Sequence, residues 1–124
     1  MNGEVQAWLE KADEDWKSAE WLLQEESPVV TPSLFHLQQA AEKWLKAYLV
    51  SRGIAFERRH DLLYLLELTA SPSLSPHVAT LAELTPFAVE FRYPGDLPQF
   101  SRGEGLALMN RVRSFREAIL PQID

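Results

Sequence analysis

The chain has 124 residues, 46% of them hydrophobic, with a net charge of −6 and no cysteine. That length holds one compact core and not two, so residues 1–124 read as a single domain. The missing cysteines exclude disulfides, thiolate nucleophiles and cysteine-ligated zinc together. No stretch approaches the roughly 20 apolar residues that cross a bilayer, and the opening MNGEVQAWLEKADEDW lacks the basic-then-apolar layout of a signal peptide, so the expected location is the cytoplasm.

Residues 4–25 predict a first helix, with apolar residues at 5, 9, 12, 16, 19 and 23 in the four-and-three spacing of a bundle seam. Trp8, Trp21 and Leu22 lie off that seam and widen the apolar face, either to complete the core or to serve a second contact. The charge is uneven. Residues 1–26 carry eight carboxylates against Lys11 and Lys17, which accounts for the whole excess.

ESPVVTPS at 26–33 reads as a linker, with Thr31 as N-cap and Pro32 at the first helical position of a second helix that runs to Gly53. At about 100° per residue, Leu34, Leu37, Ala40, Ala41, Trp44, Leu45, Tyr48 and Leu49 share one arc with Gln38. His36, Gln39, Glu42, Lys43 and Lys46 fall opposite, beside Phe35 and Val50. A buried amide must find partners, and the expectation is that Gln38 bonds a neighbouring helix through Arg92 or Tyr93. After Gly53 the connection IAFERRH is basic, and Asp61 is placed to cap a short helix, LLYLLEL.

Two Ser-Pro pairs precede a fourth helix from about Pro76, apolar at Val78, Leu81, Ala82 and Leu84. Pro86 either kinks it or opens a fresh turn. PGDLPQF at 94–100 is a turn-rich loop, and Ser101 with Glu104 has the spacing of a capping box. The last helix lines up Leu108, Val112, Phe115 and Ile119, with Arg111, Arg113 and Arg116 outside. Nothing alternates with strand period over a useful length. The expected fold is all-α, an antiparallel up-and-down bundle of four long helices and one short one.

The run FHLQQAAEKWLKAYL, then HDLLYLLEL from His60 and FRYPGD from Phe91, resembles the HEPN family of small helical-bundle domains linked to nucleotide or RNA chemistry. The first helix, with Ala12, Asp15, Trp16, Ala19, Leu22 and Leu23, is similar to the family's first helix, so the resemblance spans nearly the whole chain. It implies an accessory protein that binds a nucleotide or another substrate beside a minimal nucleotidyltransferase, in some cases as a toxin–antitoxin module. Some members are ribonucleases with an arginine followed four to six residues later by a histidine. Here Arg52 precedes His60 with seven residues between, Arg58 and Arg59 are too near His60, and no histidine follows Arg92. Self-contained cleavage therefore lacks its motif.

The candidate binding residues are Lys43, Lys46, Arg58, Arg59, His60, Arg92 and Tyr93, with Gln38 and Asp61 as structural polar groups. Between residues 43 and 60, Lys43, Lys46, Arg52, Arg58 and Arg59 face Glu57 alone, a local +4 in an otherwise acidic chain. Arginine offers a planar fork for phosphate, lysine a point charge and Tyr93 a stacking face. The competing reading pairs Lys43 and Lys46 with Glu42 and the acidic first helix. No glycine-rich phosphate loop or metal-ligand spacing is present, so no cofactor or metal is expected and no catalytic residue is assigned. A nucleotide or short RNA, a nucleotidyltransferase and a second copy through Phe35, Val50, Trp8 and Trp21 are the partners to test. A divergent ribonuclease using His60 or His36 with Arg92, and a bundle that masks a partner through its acidic helix without any ligand, stand as alternatives.

Overall fold

The computed structural model describes residues 2–89, 93 and 95–124. Within them the chain forms α1 (Gly3–Leu22), α2 (Val30–Ser51), α3 (Leu62–Thr69), α4 (Val78–Leu84) and α5 (Arg102–Ile119), with single 3₁₀ turns at Ser75–His77, Thr85–Phe87 and Leu120–Gln122. No strand occurs among the described residues. The all-α class stands. The proportions differ from expectation, with three long helices and two short ones, because Pro86 stops α4 at Leu84 and a fresh 3₁₀ turn begins at Thr85.

Helix α2 is the centre of the bundle, packed against α1, α3, α4 and α5. Its partners along α1 run in opposite order. Val29 N–H donates to Leu22, Ser33 Oγ to Ala19, His36 meets Asp15 and Lys46 lies over Trp8, so the two helices are antiparallel. Helix α5 follows α2 in the same direction. Its start touches Leu23 and Val30, Phe115 meets Trp44, and Arg52 donates to the Gln122 carbonyl just beyond α5. A Cβ on Gly105 would stand 3.2 Å from Leu23 and 3.3 Å from Val30, so the absent side chain lets α5 enter close to the α1–α2 connection.

The predicted seams are the core. Val5, Ala12, Trp16, Ala19 and Leu23 are buried on α1, and Leu108, Val112, Phe115 and Ile119 on α5. Trp16 packs on Trp44, while Arg113 and Arg116 cover the Trp16 face with their guanidinium planes. Trp8 and Leu22 are half-buried and complete this core, whereas Trp21 is 71% exposed.

Local signals mostly behave as read. Asp61 accepts from the Leu63 and Tyr64 amides at the start of α3, and Ser101 with Glu104 forms a reciprocal capping box. Gly53, at φ +68°, ends α2: its own N–H reaches Val50 and that of Ile54 reaches Leu49, a Schellman closure. Thr31 is the exception. The N-cap is Val29 and the helix starts at Val30, so Thr31 and Pro32 sit inside the first turn. Proline is tolerated there because the first amides have no helical acceptor to lose.

Candidate functional site

The side of α2 opposite its apolar arc mixes Glu42 and Lys46 with Phe35 and Val50 in the sequence, and polar groups there would ordinarily meet solvent. Instead Glu42 is 3% and Lys46 7% exposed, since a helix with four neighbours has little free face. Glu42 is the hub. Its Oε2 accepts from Lys46 Nζ at 3.0 Å, and its Oε1 lies 2.9 Å from His60 Nδ1 and accepts from Gln38 Nε2 at 3.3 Å. Gln38, fully buried, in turn accepts from Gln39 Nε2 at 2.7 Å. The i, i+4, i+8 register of Gln38, Glu42 and Lys46 stacks them on one line of the helix. No buried side-chain nitrogen or oxygen among the described residues lacks a partner.

Of the two expected partners of Gln38, Arg92 lies outside the described residues, and no hydrogen bond joins Gln38 to Tyr93 among the described residues. Among the described residues its partners, Glu42 and Gln39, lie on its own helix, with the carboxylate one turn away within reach. Tyr93 is 84% exposed, its N–H bonded to Asp96.

A second polar cluster occupies the α1–α2 seam. Asp15 Oδ1 lies 2.8 Å from His36 Nδ1, and its other oxygen accepts from Lys43 Nζ. His36 and Lys43 are seven residues apart, two full turns, and so approach one carboxylate from the same stripe. The lysines are thus drawn to separate carboxylates. Among the described residues Lys43 and Lys46 are each tied to a carboxylate rather than to one shared site, because an ammonium withdrawn from water needs a countercharge. Both lysines pair within the chain, Lys43 with Asp15 of the first helix and Lys46 with Glu42, though on a largely covered face.

Of the candidate cations, those left at the surface among the described residues are on the α2–α3 connection. Arg59 stacks on Tyr64, its guanidinium 4.1 Å from the ring centroid, and pairs with Asp61 at 3.1 Å and Glu57 at 3.6 Å. The Tyr64 hydroxyl accepts from the Glu57 N–H at 3.0 Å, which pins the loop. Arg58 is exposed and makes no ion pair among the described residues. The His60 side chain is 65% exposed. Its Nδ1 is held by Glu42, and Nε2 has no hydrogen bond among the described residues.

Arg58, Arg59 and His60 form a short rim of potential phosphate donors, Arg59 already countered by Glu57 and Asp61, beside the buried Glu42–Lys46 pair. A histidine held at Nδ1 presents Nε2 for a hydrogen bond or a proton exchange, and arginine beside it supplies a phosphate fork. No cluster of three metal-ligating side chains occurs among the described residues. Glu42 is the residue that sequence reasoning missed. Its signal is the pair of i, i+4 spacings to Gln38 and Lys46, which link the apolar arc to the polar side of the helix.

A helical bundle wrapped around one central helix, with a polar ladder along it and a histidine-led rim at its exit, defines a class of small α-helical domain. The chain belongs to the HEPN family: the HEPN domain pattern matches residues 5–122. Two crystal structures share the fold. ST0689, described as an archaeal HEPN homologue, superposes with a TM-score of 0.74 at 19% identity, covering 97% of this chain and 98% of that one. TT1696 from Thermus thermophilus superposes with a TM-score of 0.76 at 21% identity, covering 98% and 99%. At these identities the likeness is one of fold. No curated protein matches the sequence.

Proposed function

We propose that this HEPN domain is a cytoplasmic binding protein, without catalysis of its own, that acts as a homodimer beside a minimal nucleotidyltransferase in the manner of a toxin–antitoxin pair. Its ligand is a nucleotide or short RNA, gripped by phosphate. The observation that carries the ligand reading is the rim: Arg58, exposed and without an ion pair among the described residues, stands two residues from His60, whose ring is fixed by buried Glu42. In a chain of net charge −6, consecutive cationic groups that stay in solvent are the natural anion site. Lys43 and Lys46 support it from behind by neutralising Asp15 and Glu42, so that neither carboxylate repels a phosphate.

Isothermal titration with ATP, GTP and a short RNA tests this. Binding is expected at millimolar ligand or tighter, and Arg58→Ala is expected to weaken it about tenfold, the worth of one charge-assisted hydrogen bond. No heat at millimolar ligand removes the reading. Coexpression with a minimal nucleotidyltransferase, followed by gel filtration, tests the partnership separately.

The His60–Glu42 dyad favours a second reading, a divergent ribonuclease in which His60 Nε2 moves the proton and Glu42 holds the ring. The arginine-to-histidine spacing of the family's nucleases is absent. Incubation with RNA decides: cleavage by the pure protein that disappears in His60→Ala supports it, and intact RNA excludes it.

A further inference from the structure

Trp21 is the most exposed of the four tryptophans, 71% open at the end of α1. A large apolar side chain in that position gains nothing for the fold, and one aromatic anchor on an otherwise polar surface is the usual centre of a protein contact. It stands beside a shallow, open depression. A recess of about 480 Å³ opens beside it, lined by Lys17, Ser18, Trp21, Leu22 and His36. The His36 ring at its edge is held by Asp15, so one wall of the recess is fixed.

The charge around this feature chooses the partner. Glu10 and Glu14 lie eleven and seven residues before Trp21, spacings of whole turns, and share its stripe. Both lysines of α1 are used within the helix, Lys11 on Glu14 at 3.3 Å and Lys17 on Asp13 at 3.0 Å. Glu20, Glu25 and Glu26 are exposed and make no ion pair among the described residues. Those three gather at the C-terminal end of α1, which carries the negative end of the helix dipole and has no basic residue in its last turn. Arg102 Nε donates to the Leu23 carbonyl at 2.8 Å and answers the helix end itself, so what a partner would find there is the unpaired charge of Glu20, Glu25 and Glu26.

We propose that the Trp21 end of α1 is a docking surface for a cationic amphipathic helix of a partner protein. An apolar residue of the partner fills the recess against Trp21 and His36, and flanking lysines or arginines face Glu20, Glu25 and Glu26. The proposal is independent of the ligand at the α2–α3 rim.

The test uses the intact chain and two synthetic amphipathic helices of about five turns, one with leucine and lysine and its counterpart with leucine and glutamate. Binding is followed by tryptophan fluorescence and by backbone amide shifts. The lysine peptide is expected to bind and the glutamate peptide not, with affinity falling as salt is raised. Trp21→Ala is expected to weaken binding tenfold or more, on the order of one hot-spot residue. Glu20→Lys with Glu25→Lys is expected to weaken it several-fold, while Glu117→Lys on α5 leaves it unchanged. Equal binding by wild type and Trp21→Ala overturns the proposal, as does equal binding of both peptides. Sedimentation in which wild type self-associates through Trp21 and binds no peptide also overturns it, and assigns the face to a second copy.

Discussion

Asp15 and Glu42 each hold one histidine and one lysine, yet the two trios are built differently. Asp15 reaches from α1 to His36 and Lys43 on α2, so its trio is a clamp between helices, with side-chain exposures of 12%, 30% and 21% in that order. Glu42 takes Lys46 from its own helix and only His60 from outside, and the pair is deeper, at 3% and 9% against 65% for the histidine. Water reaches the first trio along the seam. In the second, charge is sealed inside and a single ring carries it to the surface. The same three residue types thus serve cohesion in one place and presentation in the other.

The contrast is broken most directly at the sealed pair. Glu42→Leu leaves the Lys46 ammonium with only the faces of Trp8 and Phe56, at 5.4 and 5.8 Å. Removing one partner of a buried pair costs about 3–5 kcal/mol, a large part of the roughly 5–15 kcal/mol that holds a domain together. Urea denaturation is expected to show that loss, and Lys46→Met added to Glu42→Leu to recover much of it. A cost below about 1 kcal/mol would mean that water reaches Lys46 and that the two trios do not differ in burial.

Next in size is Asp15→Ala. Its partners keep access to water, so the expected loss is roughly 1–2 kcal/mol, between the worth of an exposed pair and a buried one. His60→Gln ranks third, at about 1 kcal/mol or less, because the ring is mostly solvated and one hydrogen bond to Glu42 is at stake. If His60→Gln destabilises more than Asp15→Ala, the ring is a structural brace and the division into clamp and presenter fails.

How much of this could be read beforehand depended on sequence distance. The Asp61 cap, the Ser101–Glu104 box and the Gly53 stop were legible, since donor and acceptor stand within five residues of one another. The seams of α1 and α5 were legible from period alone. Glu42 and Lys46 were not, because a helical wheel gives the direction of a side chain and not the number of helices waiting there. His60 meets Glu42 across 18 positions and Lys43 meets Asp15 across 28, pairings that only the packed bundle creates. Thr31 misled because Thr-Pro is a valid helix start that the chain overran by two residues.

A third carboxylate, Glu104, supplies the reference for both trios, having neither lysine nor histidine as partner. It is exposed, accepts the Ser101 N–H at 2.9 Å and is held below its ordinary range, first by that backbone hydrogen bond and then by the Ser101 hydroxyl. Because its folded value is depressed, its contribution is fully present above the pH at which an unfolded glutamate titrates. It fades as pH falls through the lower folded value. Glu104→Ala is therefore expected to flatten the acid limb of stability against pH while leaving the neutral-pH effects of Glu42→Leu and Asp15→Ala unchanged, as distant sites add. Denaturation midpoints for wild type and Glu104→Ala, compared between neutral and acidic buffer, check this. A difference between the two proteins that grows on acidification would reverse the sign and show that Glu104 is stabilised in its protonated form.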